Sequence, residues 1–463
     1  MIRLFRVFVP TSVIALLLSE TILIFSCFLL SSYIILESDP EVFLLYDGGL
    51  LRVTLVVLSV MLGLYFQNLY NDFRVRSRLI LIQQLCLVIG IVFFSQALLT
   101  YISPALMMSR WIMILGCGMI LVILPVWRVM YTGVLFRALG AQKLLFLGTN
   151  SVAMEIAEQL ADHPELGLAS VGFVDDKRDR GEKLPGGPVL GGISDLREIV
   201  GECKPDRIIV GLTERRQSLP VYDLLDLRFG GIRIEEAATT YESAFGRVST
   251  RDLRPSQLVF TTELGPQPRN LMLQALYSTF VALVALVLAA PIMLLVALLV
   301  KLTSSGPILY RQTRVGMNGV PFTVFKFRTM RTDAEEGTGA VWAKKNDPRV
   351  TPIGRYLRAS RLDEFPQLFN VLRGEMSVVG PRPERPEFVR TLTEQIPFYR
   401  QRHSVRPGIT GWAQVNYKYG DTLEDTIIKL EYDLYYIKNL SPSLDLFIMF
   451  HTAKVMLFSS HGQ

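Results

Sequence analysis

The chain has 463 residues, half of them hydrophobic, and carries a formal net charge of +6. So apolar a composition excludes an ordinary soluble enzyme, and the length leaves room for two or three domains. The positive excess suits nucleic acid, an anionic bilayer or phosphorylated substrates, and no nucleic-acid module is recognisable, which leaves the last two. Cys27, Cys86, Cys117 and Cys203 show no C-x-x-C pairing, and His163, His403, His451 and His461 are scattered. Neither a disulfide framework nor a zinc site follows from them.

Four apolar stretches at 10–36, 50–69, 79–101 and 108–131 each approach the roughly 20 residues needed to cross the hydrocarbon of a bilayer. Arg3 and Arg6 precede the first, Arg74, Arg76 and Arg78 fill the second connection, and Arg128, Arg137 and Lys143 follow the fourth. The first connection is acidic instead, with Glu37, Asp39, Glu41 and Asp47. The excess of cations at both ends predicts that both ends of this bundle are cytoplasmic. Glu20 lies inside the first span, where a charge is costly. A satisfied contact between helices is the expectation there, although the sequence names no partner for it.

After the bundle, KLLFLGTNSVAMEIAEQL (143–160) reads as strand, tight turn and helix. LASVGFVDD (168–176) and DRIIVGL (206–212) read as further strands, the latter after a helix-like segment. This alternation predicts a parallel, doubly wound Rossmann-like module. Its dinucleotide fingerprint is incomplete, because only Gly148 stands in place while Asn150 and Ala153 occupy the second and third glycine positions. A side chain at the second crowds a pyrophosphate. Asp175 or Asp176 stands where a ribose-binding acid would, yet acids are common at strand ends. A structural, dimerising or ligand-sensing module is therefore expected over redox use of NAD. Residues 231–270, with Arg251, Arg254, Arg269 and Pro255, Pro266 and Pro268, read as a basic linker.

Residues 274–301 form a fifth apolar run, long enough as a helix to span a bilayer. Its flanks argue otherwise: Arg254 and Arg269 lie before it and Lys301, Arg311 and Arg314 after it, so both ends ask for the cytoplasm. Pro291 near the middle favours a bend that returns the helix to the side it entered. The shorter run 444–458, with a lysine and a histidine, reads as interfacial.

The acid pair Asp363-Glu364 is the strongest chemical signal, since Arg358 and Arg361 precede it, Arg373 follows, and Arg382 sits between Pro381 and Pro383. Cations around a carboxylate offset its repulsion from a phosphorylated substrate. The plain structural alternative makes Asp363 a helix cap with Pro366 in the first turn. Strand alternation through TVFKFRTM puts Lys326 and Arg328 on one face, either as a solvated surface or as phosphate contacts.

The runs YRQTRVGMNGVPFTVFKFRTM (310–330), LDEFPQLFNVLRGEMSVVGPRP (362–383) and RPGITGWAQVNY (406–417) resemble, in order and spacing, the bacterial sugar transferases, the polyprenyl-phosphate hexose-1-phosphate transferases. The resemblance is dense over about residues 270–463, and the whole chain is similar to the large form of that family. It implies a membrane α-helical bundle (1–135), a Rossmann-like α/β module (136–262), and a monotopic, mainly α catalytic domain (263–463) with a re-entrant membrane helix broken at Ala290-Pro291.

It further implies that Asp363 attacks the β-phosphorus of a UDP-sugar, expels UMP and then passes the sugar phosphate to undecaprenyl phosphate. Glu364, with Asp363, would hold Mg²⁺, and Lys326, Arg328, Arg358 and Arg382 would meet the substrate phosphates. The implied setting is the bacterial inner membrane, with membrane lipids, a homodimer and polysaccharide-assembly proteins as partners. Arg361, Phe365 and Glu375 depart from the family's usual serine, leucine and aspartate, and none of these changes removes a charged role. The competing readings are a membrane-bound nucleotide-sugar oxidoreductase or epimerase and a non-catalytic assembly scaffold.

Overall fold

The computed structural model describes residues 2–4, 6–36, 39–70, 78–131, 141–163, 166–212, 219–251, 265–332, 334, 347–417, 420 and 422–458. Glu37, Arg74, Arg76, Arg137, Arg254, Pro255, His461 and both expected domain boundaries, at 135/136 and 262/263, lie outside the described residues. The chain folds into two compact units, one holding Val9–Ala237 and the other Arg3–Phe8 with Ala238–Gln463.

In the first unit, α1 (Thr11–Ile35), α2 (Gly49–Phe66), α3 (Arg78–Ile102) and α4 (Arg110–Met130) fall within a few residues of the four expected spans. With α9 below they make five described helices long and apolar enough to cross a membrane, and the protein is a membrane protein. Small side chains let the bundle close: a Cβ at Gly116 would meet the Phe28 ring at 2.5 Å. Large apolar side chains such as Ile22, Phe94 and Val122 point outward, as expected of surfaces that face lipid rather than water. Glu20 does have partners: the Arg128 guanidinium donates to both its carboxylate oxygens at 2.6 and 2.9 Å, and the Tyr70 hydroxyl donates at 2.7 Å. Arg128, which the sequence presents as a flanking charge, is 1% exposed.

The same unit contains a six-stranded sheet built from β1 (Gln142–Leu147), β2 (Leu168–Val174), β3 (Lys183–Leu184), β4 (Gly187–Gly191), β5 (Arg207–Val210) and β6 (Arg233–Glu236), in the order β3-β4-β2-β1-β5-β6. All neighbours are parallel except β3 with β4. Helices α5 (Ser151–Asp162), α6 (Leu196–Cys203) and α7 (Val221–Phe229) alternate with the strands. The central strands are apolar on both faces, as a sheet covered by helices requires.

The second unit opens within the expected linker. Helix α8 (Ala237–Phe245) and the residues after it pack on the catalytic fold, with Tyr241 Oη, Thr250 N and Arg247 Nη1 all donating to the buried Glu431 carboxylate. Residues up to Thr250 are thus part of this unit rather than free linker. Helix α9 (Pro268–Thr303) is one helix that continues through Ala290-Pro291, so any bend there is a kink within helical structure. Gln274, Ser278, Ala282, Ala289, Val296 and Val300 are buried, a single stripe by helical spacing.

Beside α9 lies the antiparallel hairpin of β7 (Leu309–Val315) and β8 (Pro321–Phe327). Next come α10 (Pro352–Ala359), α11 (Gln367–Leu372) and β9 (Ser377–Val379), which pairs in parallel with β10 (Gly408–Thr410), α12 (Pro386–Gln395) falling between these two strands in sequence. Finally α13 (Trp412–Asn416), α14 (Leu423–Asn439) and α15 (Pro442–Phe458) complete the core, in which Trp412 stacks on Tyr435. Leu444 and Ile448 of α15 are buried while Leu446 and Phe450 are exposed, so the helix carries apolar side chains on both its packed and its outer face.

A cation-rich acid pair as candidate active site

The acid pair is presented by a change of backbone conformation between two helices. Thr351 caps α10, its hydroxyl accepting from Gly354 N at 3.0 Å with Pro352 in the first turn. Gly354 lies so close to the preceding chain that a Cβ would come within 2.1 Å of the Thr329 carbonyl. Arg361 then adopts a left-handed conformation, φ 59°, and sends the chain into a 3₁₀ turn at Leu362–Glu364. Leu362 and Phe365 pack with Phe327 and Leu357, which anchors both ends of the turn in apolar surroundings.

Asp363 and Glu364 are each 8% exposed, but their environments differ. Glu364 Oε1 accepts from Lys326 Nζ and from Arg382 Nη2, both at 2.8 Å. Burial alone would push the Glu364 carboxyl up, yet Arg382 and then Lys326, by charge and hydrogen bonding, hold it well below the usual carboxylate range. Asp363 accepts no hydrogen bond from any described residue, so the capping alternative does not hold. Pro366 takes the position before α11. Burial pushes the Asp363 carboxyl above its ordinary value, against the downward pull of Lys326, and its neighbour Glu364 adds to the rise; Arg358 and Arg382 act in the lowering direction. The site therefore pairs one fixed anion with one desolvated carboxylate that accepts from no described residue, near the cations Lys326, Arg358 and Arg382.

Arg358 is steadied by a hydrogen bond from Nε to Thr329 Oγ1 at 2.9 Å. Lys326, Arg358 and Arg382 thus converge on the acid pair as expected from the sequence. Arg328 does not. Strand β8 ends at Phe327, and Arg328, 4% exposed, donates instead to the Ser304 carbonyl and hydroxyl at the end of α9. Arg373 lies over the Phe325 ring, 4.9 Å from its centroid, and Arg311 approaches the same ring at 5.8 Å. Sequence reasoning missed Asn370, fully buried, whose amide accepts from Phe325 N and donates to the Thr323 carbonyl and to Glu375. It holds the strand that carries Lys326 against α11. An asparagine within the apolar run LFNVL was the available signal.

Among the described residues no three His, Cys, Asp or Glu side chains gather as a metal cluster. Two adjacent carboxylates nevertheless suit a hard divalent cation such as Mg²⁺ when phosphate oxygens supply the remaining ligands. The donor set fits that use and no fuller cage.

In the first turn of the Rossmann-like sheet a side chain caps the helix. Asn150 Oδ1 already accepts from Ala153 N at 2.8 Å, taking the helix-end donor a phosphate would use. Asp175 is bound by Thr149 N and Thr149 Oγ1, and Asp176 by Ile193 N. Both acids accept hydrogen bonds from the fold itself.

Residues 269–459 match the family described as bacterial sugar transferase, and residues 65–218 match the one described as CoA-binding domain. The UDP-N-acetylgalactosamine-undecaprenyl-phosphate N-acetylgalactosaminephosphotransferase of Aeromonas hydrophila is 44% identical over 216 residues, 47% of this chain and 50% of that protein. The chain thus matches half the length of that relative. The UDP-glucose:undecaprenyl-phosphate glucose-1-phosphate transferase of Xanthomonas campestris pv. campestris is 35% identical over 325 residues, 68% of this chain and 67% of that one. Exopolysaccharide production protein PSS of Rhizobium leguminosarum bv. phaseoli is 45% identical over 198 residues, 42% of this chain and 99% of the relative.

Proposed function

The chain belongs to the bacterial sugar transferase family and is an enzyme of the phosphotransferase class, and we propose that it moves a sugar 1-phosphate from a UDP-sugar to undecaprenyl phosphate at the cytoplasmic face of the bacterial inner membrane. The reaction would open the assembly of an exopolysaccharide, capsule or O-antigen repeat unit. The observation that carries this reading is the contrast within the acid pair, with Glu364 pinned by Lys326 and Arg382 while no described residue donates a hydrogen bond to the buried Asp363.

In the first step a carboxylate oxygen of Asp363 forms a bond to the β-phosphorus, and the bond from that phosphorus to the bridging oxygen breaks, so UMP leaves with the electron pair. In the second, a phosphate oxygen of the lipid attacks the same phosphorus and Asp363 departs as carboxylate, yielding undecaprenyl-diphospho-sugar. An acyl phosphate is reactive enough for that second transfer. Desolvation makes the Asp363 anion the more nucleophilic, and Arg358, Arg382 and Lys326 offset charge on the phosphoryl oxygens. Asp363 and Glu364 would hold Mg²⁺, which when bound shields phosphate charge.

The packing of α9 supports a helix that enters the bilayer and returns. Gln274 donates to the Val379 carbonyl and to Asp445, and 26 residues later Val300 packs with Phe327 and Leu357. In a straight helix those positions are about 39 Å apart, more than the ~30 Å hydrocarbon, yet the same catalytic unit grips both and also the stretch between them. A span would drag Phe327, at the end of the strand that carries Lys326, toward the hydrocarbon with Val300. Cysteines placed near residues 269 and 305 should both react only with cytoplasmic thiol reagents; labelling of the second from outside would make α9 a simple span. A homodimer and contacts with polysaccharide-assembly proteins belong to the same proposal, and the mass of the complex in lipid nanodiscs checks the former.

The reaction itself is tested by UMP release from membranes supplied with UDP-sugars and undecaprenyl phosphate. Asp363→Asn should insert and fold yet keep no more than a few per cent of turnover, by roughly the hundredfold or greater losses usual for a removed nucleophile. Retained turnover would remove the covalent step.

A further inference from the structure

The segment that carries Arg382 is held in an unusual way. Pro381 and Pro383 contribute no N–H and have fixed φ, and the three successive carbonyls 381–383 each accept from a different element. Gly408 N donates to Pro381 at 2.9 Å, Arg402 Nη2 to Arg382 at 3.0 Å, and Arg314 Nη1 to Pro383 at 3.1 Å. The central donor is the most deeply set. Arg402 is 6% exposed and Asp433, 2% exposed, accepts its Nε and Nη2 at 3.1 and 2.9 Å, while Nη1 donates to the Tyr399 hydroxyl at 2.7 Å. Arg402 lies in the 3₁₀ segment Tyr399–Ser404 and Asp433 on α14, neither of which supplies a group to the acid pair. Bonds from four of its N–H donors leave this guanidinium little freedom, and Arg382 inherits that rigidity at its own backbone.

We propose that Arg402, oriented by Asp433 and Tyr399, is a positioning residue for the transfer, fixing the backbone of Arg382 so that its guanidinium meets Glu364 and the sugar diphosphate in one orientation. The proposal rests on the function assigned above. The planar fork reaches the Asp433 carboxylate, the Tyr399 hydroxyl and the Arg382 carbonyl in fixed directions, a geometry that the point-like ammonium of a lysine does not reproduce. Arg402 touches no reacting atom. Its effect is geometric, and a displacement near 1 Å at such a site is worth about 100-fold in rate.

The test uses the full-length protein in nanodiscs with Arg402→Lys and, because a lone loss of charge could leave Asp433 buried without a partner, the neutral pair Arg402→Gln/Asp433→Asn. In both, kcat for UMP release should fall about 10- to 100-fold with a smaller change in KM for the UDP-sugar, at unchanged folded fraction. Against an Arg382→Ala background the same changes should add little further loss. Amide exchange, read by mass spectrometry, should rise in peptides covering 377–385 and stay level in those covering α10. Losses that multiply with Arg382→Ala, or that follow the folded fraction alone, would make Arg402 merely structural. Wild-type protein that released no UMP would refute the assigned function instead, and the exchange data would still decide whether Arg402 fixes the Arg382 segment: no rise in 377–385 overturns it.

Discussion

Two buried acid–cation clusters, one in the bundle and one in the catalytic unit, use the same residue types to different ends. In the bundle Glu20 has both carboxylate oxygens filled, by the Arg128 fork and the Tyr70 hydroxyl, and anion and cation are matched one to one. At the acid pair the cations Lys326, Arg358 and Arg382 outnumber the two carboxylates, and one carboxylate accepts no hydrogen bond from a described residue. A closed cluster joins helices. An open one, with excess positive charge and an unsolvated anion, is arranged for an anionic ligand that has yet to arrive.

The sharpest way to break this comparison is to empty the bundle cluster. Arg128→Ala leaves Glu20 buried without its counter-charge and should lower stability by about 3–5 kcal/mol, seen as early unfolding in detergent, while turnover per folded molecule stays at the wild-type level. Substituting both members by apolar residues of similar volume should restore most of that loss, since a buried pair often breaks even against good packing. A fall in turnover per folded molecule would show that Glu20 takes part in the chemistry.

A smaller effect belongs to the catalytic cluster. In the proposed mechanism Asp363 is ionised when it attacks, and burial pushes its folded carboxyl above the ordinary 3.8. Activity should therefore fall as pH drops through that raised value. Lys326 is the largest influence in the lowering direction, so Lys326→Met should move the acid limb of kcat to higher pH, in addition to slowing transfer. The stability signs of the two acids are opposite. Glu364, depressed, contributes stability that is full above the unfolded carboxylate range and is lost progressively as pH falls from 4.5 through its lowered folded value, whereas Asp363, raised, becomes a cost as pH rises from 3.8 through its folded value. An acid limb that did not move would separate Lys326 from Asp363.

The sequence is a good guide wherever a property is local. Runs of about 20 apolar residues place α1 to α4 within a few positions, and the long motifs bring Lys326, Arg358 and Arg382 to the acid pair. It fails where a partner is far along the chain or a periodicity stops. Arg128 lies 108 residues from Glu20 and looks like an ordinary flanking cation. Arg328 inherits a strand face by alternation, but the strand has ended one residue earlier, freeing its side chain to reach Ser304. The segment 238–251 is polar and reads as a tether because its burial depends on Glu431, Lys438 and Trp412, at least 161 positions away in the chain.

That last feature bears on how such enzymes can exchange parts over evolution. The face of α14 that receives Tyr241, Arg247 and Thr250 at Glu431, and Glu242 at Lys438, also takes residues ahead of the bundle, where Tyr435 donates to the Arg6 carbonyl and Arg3 to Asn439. A recombination joint at residue 263, the expected start of the catalytic domain, would strip Glu431 of the Tyr241, Arg247 and Thr250 donors and uncover the edge of the Trp412 ring now closed by Gly246. A joint at 238 would carry the covering segment along. Breakpoints inherited intact should therefore cluster ahead of Tyr241, about 30 residues before the family match that starts at residue 269.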